Sequence, residues 1–284
     1  METDAREILL ARLQEATTAG QGKPVIFTDD SLPPPPSVVC HTVSRLHISL
    51  AGSHHLQACQ LGTPTLIQPE TGQWVYSTPF GWTRPLWNLP TRTIGVVCYE
   101  AFTRFLYFED EGTTPRLGGP DLFYHTSSSL PLDAVHLIKA LDVMARTGRR
   151  SAAVGTELVT ALACMLADEL QKTAPTIDPS QRLWQDMVAY MAEHAHEPMD
   201  RSSLAAHFRI HPNSLSRLFH LHDPMTFQEH LTHLRLMRSC RLLHHADLSI
   251  EDVARASGFA NSNYYIKVFR KAYNQTPGHY RAQN

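Results

Sequence analysis

The stretch Ile250-Glu251-Asp252-Val253-Ala254, then Ser257-Gly258-Phe259, then Asn263-Tyr264-Tyr265-Ile266-Lys267-Val268-Phe269-Arg270-Lys271 decides how the C-terminal third folds. A short periodic segment, a glycine and a longer periodic segment predict a short helix, a tight turn and a second, longer helix. Gly258 stands where such a turn takes a positive φ, which glycine supplies without strain. The same plan occurs earlier. Ser203-Leu204-Ala205-Ala206 leads through a turn near Ile210-His211-Pro212 into Asn213-Ser214-Leu215-Ser216-Arg217-Leu218-Phe219. Leu215, Leu218 and Phe219 form the apolar stripe of the longer helix in one copy. Tyr265, Val268 and Phe269 form it in the other, at identical spacing.

The face opposite each stripe is polar. A helix that reads duplex DNA needs this division. Its apolar side locks it to a scaffold, while amide, hydroxyl and cationic side chains reach base edges and phosphates. The DNA-binding candidates are Asn213, Ser214, Ser216, Arg217 and His220 in the first copy. In the second they are Asn261, Ser262, Asn263, Tyr264, Lys267 and Arg270. Arg217 and Lys267 carry the most weight, because a cation on this face meets at least a phosphate.

At these residues the chain resembles the AraC/XylS family of bacterial transcription regulators. The resemblance runs from about Trp184 to Arg281. It is strongest at Arg235-Leu236, Cys240, Leu242-Leu243, Asp247-Leu248-Ser249-Ile250, Val253-Ala254, Gly258-Phe259, Tyr264-Tyr265, Phe269-Arg270-Lys271, Thr276-Pro277 and Tyr280-Arg281. It implies a long helix around Phe227 to His244 joining two reading units, with both recognition helices in major grooves on one face of double-stranded DNA. RNA polymerase is an implied partner if the protein is an activator. Three positions depart from the family pattern. Pro224 and Asn274 stand where glycine is usual, and Ser239 where alanine is usual. Asn tolerates the left-handed conformation. Proline does not, so the turn after the first recognition helix must differ.

Working outward, charge divides along the chain. Residues 181–284 carry a formal +3 and the remainder −5, within a net charge of −2. That asymmetry permits a nucleic-acid module at the C-terminus. The five cysteines, Cys40, Cys59, Cys98, Cys164 and Cys240, include no C-x-x-C and mostly sit in apolar runs. They read as reduced, mostly buried thiols. The start Met-Glu-Thr-Asp lacks the cationic and apolar regions of a signal peptide. No apolar run approaches the roughly 20 residues of a membrane helix. A soluble, cytoplasmic protein without membrane partners is expected.

The N-terminal two-thirds has a different texture. Residues 4–18 predict a short amphipathic helix with Ile8, Leu9, Leu10 and Leu13 on one side. Pro33–Pro36 punctuate the chain. From Ser37 to Phe108, short β-forming runs alternate with Pro and Gly, which suggests a small antiparallel sandwich or barrel. From Pro131 the period changes. Val135, Ile138, Leu141 and Met144 predict one helix, and Leu158, Leu162, Met165, Leu166 and Leu170 a second after a break at Thr147–Arg150. These two helices pair either within the chain or across a homodimer. The stretch Thr173–Ser180 reads as the linker. This texture is similar to the cupin-like sensor and dimerisation domain of many family members.

The expected fold is therefore α+β and multidomain. Residues 1–128 would form a cupin-like β sandwich or barrel with an N-terminal helix, and 129–172 a helical dimerisation segment. Residues 173–181 would be linker, and 182–284 an all-α domain with two helix-turn-helix units.

Trp74, Tyr76, Trp82 and Trp87 fall within fourteen residues, with Arg84 and Arg92 nearby. With Arg45 and His47 they are candidates for an effector pocket of aromatic walls and a cation. The competing reading makes the aromatics barrel core and the arginines solvated. Eleven of the 17 histidines follow Gln181. His220/His222, His230/His233 and His244/His245 lack a carboxylate or cysteine at zinc-like spacing. His54-His55 does not continue into a cupin metal motif, and adjacent strand residues face opposite ways. No nucleophile elbow or phosphate loop is present in the sequence. The expectation is a regulator without metal or cofactor, not an enzyme. Two rivals stay open here. One is a ligand-independent DNA-binding protein whose β domain only dimerises. The other is a cupin-fold metal enzyme with a DNA-binding appendage.

Overall fold

The computed structural model describes residues 2–32, 42–52, 54–86, 89–110, 121–127, 130–147, 152–172, 178–244 and 248–283. Pro33–Pro36, Cys40, Trp87, Gly148–Arg150, Thr173–Ile177, His245 and Asp247, which the sequence singles out, lie outside them. The chain divides into two compact units, residues 1–175 and 176–284. No helix among the described residues is long and apolar enough to cross a membrane.

The first unit begins with α1 (Glu2–Ala19). Nine strands follow among the described residues: β1 (Ile26–Thr28), β2 (Arg45–Gly52), β3 (His55–Gln60), β4 (Thr63–Ile67), β5 (Trp74–Ser77), β6 (Thr83–Leu86), β7 (Thr91–Cys98), β8 (Thr103–Asp110) and β9 (Asp121–Ser127). Then come α2 (Leu132–Thr147) and α3 (Ala152–Gln171). Six strands form one sheet in the order β1-β5-β2-β7-β8-β9, and β4-β3-β6 form a second. All pairings are antiparallel except β1 with β5.

The large sheet is covered on both faces, and register decides which residues go where. Leu46 pairs with Tyr76 and Val96, and Ile48 with Trp74 and Ile94. These side chains share one face and build the main core with Leu9, Leu13 and Ala16 of α1 and Leu141, Val159, Leu162, Leu166 and Leu170 of α2 and α3. Of the expected α1 stripe, Leu9 and Leu13 are fully buried and Ile8 is 39% exposed. On the opposite face, Val75 of β5 packs against Leu56 and Ala58 of β3 and Ile67 of β4. The order is thus helices, large sheet, small sheet. Covered on both sides, β7 reads as an almost continuous buried run rather than an alternating one. The helices α2 and α3 belong to this core rather than standing apart from it, while Leu132, Val143 and Val154 remain 72%, 59% and 49% exposed. Cys59 and Cys98 are buried as expected, but Cys164 of α3 is exposed.

The second unit is helical throughout: α4 (Pro179–His194), α5 (Arg201–His207), α6 (Pro212–His222), α7 (Phe227–Leu242), α8 (Ile250–Ala256), α9 (Ser262–Tyr273) and α10 (Pro277–Gln283). α7 has the expected start and stops two residues short of His244. Its N-terminus carries a reciprocal capping box: Thr226 Oγ1 accepts from Glu229 N, and the Glu229 carboxylate accepts from Thr226 N.

Candidate nucleic-acid interface

Two helix-turn-helix units, α5–α6 and α8–α9, repeat with nearly residue-for-residue correspondence. Leu204-Ala205 corresponds to Val253-Ala254 at an offset of 49, and Leu215, Leu218 and Phe219 correspond to Tyr265, Val268 and Phe269 at 50. The second turn is therefore one residue longer. Both turns close by the same bonds. Arg209 N donates to Ala206 O at 3.0 Å and Ile210 N to Ala205 O at 2.9 Å; Gly258 N donates to Arg255 O at 3.0 Å and Phe259 N to Ala254 O at 2.9 Å. The residue that reverses the chain is left-handed in each, Arg209 at φ 54° and Gly258 at φ 93°.

Glycine at 258 answers a spatial demand as well. A Cβ there would lie 2.6 Å from Ala195 O and 2.9 Å from Arg235 Nε. Arg235 of α7 donates Nε to Ala195 O at 2.8 Å and Nη2 to Glu197 O at 3.1 Å, satisfying carbonyls just past the end of α4. Arg238, one turn on, donates to Ala256 O at the end of α8 at 3.0 Å. The linking helix thus holds the scaffold of both units through two arginines. Buried Ser239 keeps its hydroxyl within α7, donating to Leu236 O at 2.8 Å, so the departure from alanine is accommodated.

The two apolar stripes are buried: Leu215, Leu218 and Phe219 in α6, Tyr265 and Phe269 in α9, with half-buried Val268 beside them. Asn213, Arg217 and His220 are exposed on α6. Asn261, Asn263, Tyr264, Lys267 and Arg270 are exposed on or beside α9, and Ser214, Ser216 and Ser262 are half-buried. Arg217, Lys267 and Arg270 make no ion pair among the described residues, so their charge faces solvent. Two candidates have internal roles. Asn261 is the N-cap of α9, its side-chain oxygen accepting from Tyr264 N at 3.0 Å. Ser216 donates to Pro212 O and accepts from Arg201 Nη1, both at 3.3 Å.

That second bond brings in Arg201, a cation the sequence reading missed. A groove of about 860 Å³ runs beside α6, lined by Arg201, Ser216, Arg217, His220 and the start of α7. Only tertiary packing sets Arg201 there, since fifteen residues separate it from Ser216.

The exits differ where the sequence departs from glycine. Asn274 takes the left-handed conformation, at φ 55°. Its counterpart Pro224 cannot, and the preceding Asp223 is extended (φ −129°, ψ 135°). Asp223 Oδ1 accepts from Met225 N at 2.9 Å, while Oδ2 lies 2.9 Å from His230 Nδ1 of α7. A nearly buried carboxylate therefore shapes the first exit where a left-handed residue shapes the second.

The effector candidates are not gathered into one pocket. Trp74 and Tyr76 point into the helix-covered core, where Tyr76 donates to Asp142 at 2.8 Å. Arg45 and His47 sit on the opposite face of the same sheet, as their register with Ser77 and Val75 requires. Trp82 packs with Cys59 and Leu32, donating Nε1 to Leu32 O at 3.1 Å. Arg84 is exposed on β6, and Trp87 is outside the described residues.

A family model described as a helix-turn-helix domain matches residues 204–283. The chain is 28% identical over 259 residues to the uncharacterized HTH-type transcriptional regulator YijO of Escherichia coli strain K12, covering 91% of this chain and 88% of that protein. It is 35% identical over 99 residues to the HTH-type transcriptional activator RhaS of Pectobacterium carotovorum subsp. carotovorum strain PC1, covering 35% of this chain and 36% of that protein. Among solved structures, a transcriptional regulator with an AraC-type DNA-binding domain from Chromobacterium violaceum is 28% identical, with a TM-score of 0.34, covering 37% of this chain and 93% of that one. The C-terminal unit carries a helix-turn-helix domain, and the chain is a sequence-specific DNA-binding transcription regulator rather than an enzyme.

Proposed function

We propose that α6 and α9 are the two recognition helices, that they enter successive major grooves about 34 Å apart, and that the N-terminal unit governs this binding. The observation that carries the reading is the repeat itself. Arg217 and Lys267 occupy equivalent exposed positions one turn into their helices, backed by equivalent buried stripes. Exposed Asn213, Asn263, Tyr264 and Arg270 would complete the reading surface, with Ser214, Ser262 and His220 at its edge. Asn261 and Ser216 serve it from within.

The N-terminal unit, read as a cupin-like sensor, would act through a small-molecule effector, through a homodimer, or both. Exposed Leu132 and Val143 on α2 and Val154 on α3 support a symmetric contact there. The activator named among the relatives supports positive regulation through RNA polymerase in the cytoplasm.

The test is binding-site selection with the full chain across a salt series. Enrichment of a bipartite motif with steeply salt-dependent affinity is expected. Retardation of every sequence alike, with no motif, would refute the reading.

A further inference from the structure

The two helix-turn-helix units close the joint between their helices by opposite chemistry. In the second, Ile250 opens α8 and Ile266 lies one turn into α9, and both pack half-buried against the core of that unit. By the offsets of 49 and 50, the equivalent residues of the first unit are Arg201 and Ser216. The residues that cap the two helices, Ser249 and Asp200, correspond as well. Arg201 Nη1 donates to Ser216 Oγ at 3.3 Å, and Ser216 in turn donates to Pro212 O at 3.3 Å. That contact uses one of the five donors of a guanidinium. Arg201 is exposed and makes no ion pair among the described residues.

A long hydrogen bond open to solvent adds little to folding, and the second unit shows that aliphatic side chains close the same joint. What Arg201 adds is a positive charge. The recognition helices differ in the same sense. α9 exposes Lys267, Arg270 and Lys271, whereas the equivalent residues of α6 are Arg217, His220 and Leu221, of which only the first is a fixed cation. Arg201 lines the groove beside α6 together with Arg217 and His220. α5 therefore brings to this face a charge that α6 does not carry itself. Two carboxylates also line the groove, and both are engaged elsewhere. Asp200 accepts from Ser203 N at 2.7 Å as the cap of α5, and Asp223 lies against Met225 N and His230 Nδ1.

We propose that Arg201 is a positioning residue of the first half-site. It grips a DNA phosphate beside the groove that α6 enters, supplying from the neighbouring helix the backbone charge that the second unit places on its recognition helix. The proposal rests on α6 and α9 being the recognition helices. A guanidinium offers a phosphate two parallel N–H donors, where an ammonium offers a point charge. Ser216, tied to Pro212 O, steadies one arm of the fork and leaves the other donors unspent. Phosphate contacts set register and orientation without carrying sequence information. Arg201 thus fixes where α6 sits rather than which bases it reads.

The experiment measures affinity of the full-length protein for its selected DNA site across a potassium chloride series. Arg201→Ile, Arg201→Lys and Arg217→Ala stand beside wild type, and site selection is repeated with each. Isoleucine is what the second unit carries at this place, so Arg201→Ile should melt within about 2 °C of wild type. It should bind every sequence about tenfold more weakly at low salt, with a log–log salt slope shallower by about 1 and the preferred motif unchanged. Arg201→Lys should restore the slope and part of the affinity. Wild-type affinity and slope in Arg201→Ile would overturn the proposal. So would a weaker variant with an unchanged slope or a fallen midpoint, since either makes the residue structural. Preference lost at one base position would overturn the phosphate assignment. Arg217→Ala probes the reading beneath. Unchanged preference there, with the slope change of Arg201→Ile intact, would sink α6 as a recognition helix and leave the backbone contact of Arg201 standing.

Discussion

The two helix-turn-helix units build one geometry from different residues. The first turn reverses at Arg209, the second at Gly258. The first recognition helix is capped by His211, whose Nδ1 accepts from Asn213 N at 3.2 Å, and the second by Asn261. The first exits through extended Asp223 and Pro224, the second through left-handed Asn274. What is held constant is the pair of turn hydrogen bonds and the buried stripe. Where the chain has space it tolerates substitution, and where another backbone presses close it does not.

The largest effect should separate the turns. Gly258→Ala adds a Cβ 2.6 Å from Ala195 O at a left-handed position, and should cost about 3 kcal/mol. Arg209→Gly removes the penalty of a left-handed side chain but loosens the unfolded chain, so it should shift stability by less than about 1 kcal/mol. Hydrogen-exchange protection of α8 and α9 reads the first change, and that of α5 and α6 the second. Equal costs at the two positions would show that crowding at Gly258 is irrelevant.

Next come the reading faces. Lys267→Ala and Arg217→Ala should each lose about 1–3 kcal/mol of DNA affinity and relax preference in opposite halves of the site. The Lys267 effect should be the larger, because Pro224 alters the first unit's exit. Site selection with both variants checks this. Unchanged affinity and preference in both would move the reading surface elsewhere.

The caps differ in chemistry, an imidazole nitrogen accepting at the first and an amide oxygen at the second. His211→Ala should loosen α6 and Asn261→Ala α9, each by about 1 kcal/mol, as for a removed N-cap. Amide protection of each helix reads the loss. Unchanged protection of α6 in His211→Ala would mean that the imidazole does not cap it.

The smallest effect concerns the exits. Pro224 sits in a conformation it accepts, so Pro224→Gly should destabilise by about 0.5–1 kcal/mol through unfolded-state entropy. Denaturant titration decides. A gain in stability would mean that the proline strains the exit instead.

The C-terminal helices, both turns and Arg235 of the linking helix were legible as positions, because helical period and turn chemistry are local. The roles of Arg235 and Arg238 were not, since the first serves carbonyls just past the end of α4 and the second one at the end of α8. Arg201 was missed for the same reason. The effector candidates were chosen for proximity in sequence. Trp74 and Tyr76 then proved to share a face with Leu46 and Ile48, away from Arg45 and His47.

By itself, the sequence determined that this chain carries two helix-turn-helix units, their order, their apolar stripes and their exposed cations. Each is written within about twenty-five residues, where the α-helical period and a left-handed turn leave few alternatives. Only the tertiary structure decided which face of β2 is enclosed by the small sheet, and hence that His47 Nε2 and the Ser49 hydroxyl have no hydrogen-bond partner among the described residues. Strand pairing is non-local, and a slip of one residue in register sends every side chain to the other side. Alternation could group those residues, but the partner that covers them was set by strands up to fifty residues away.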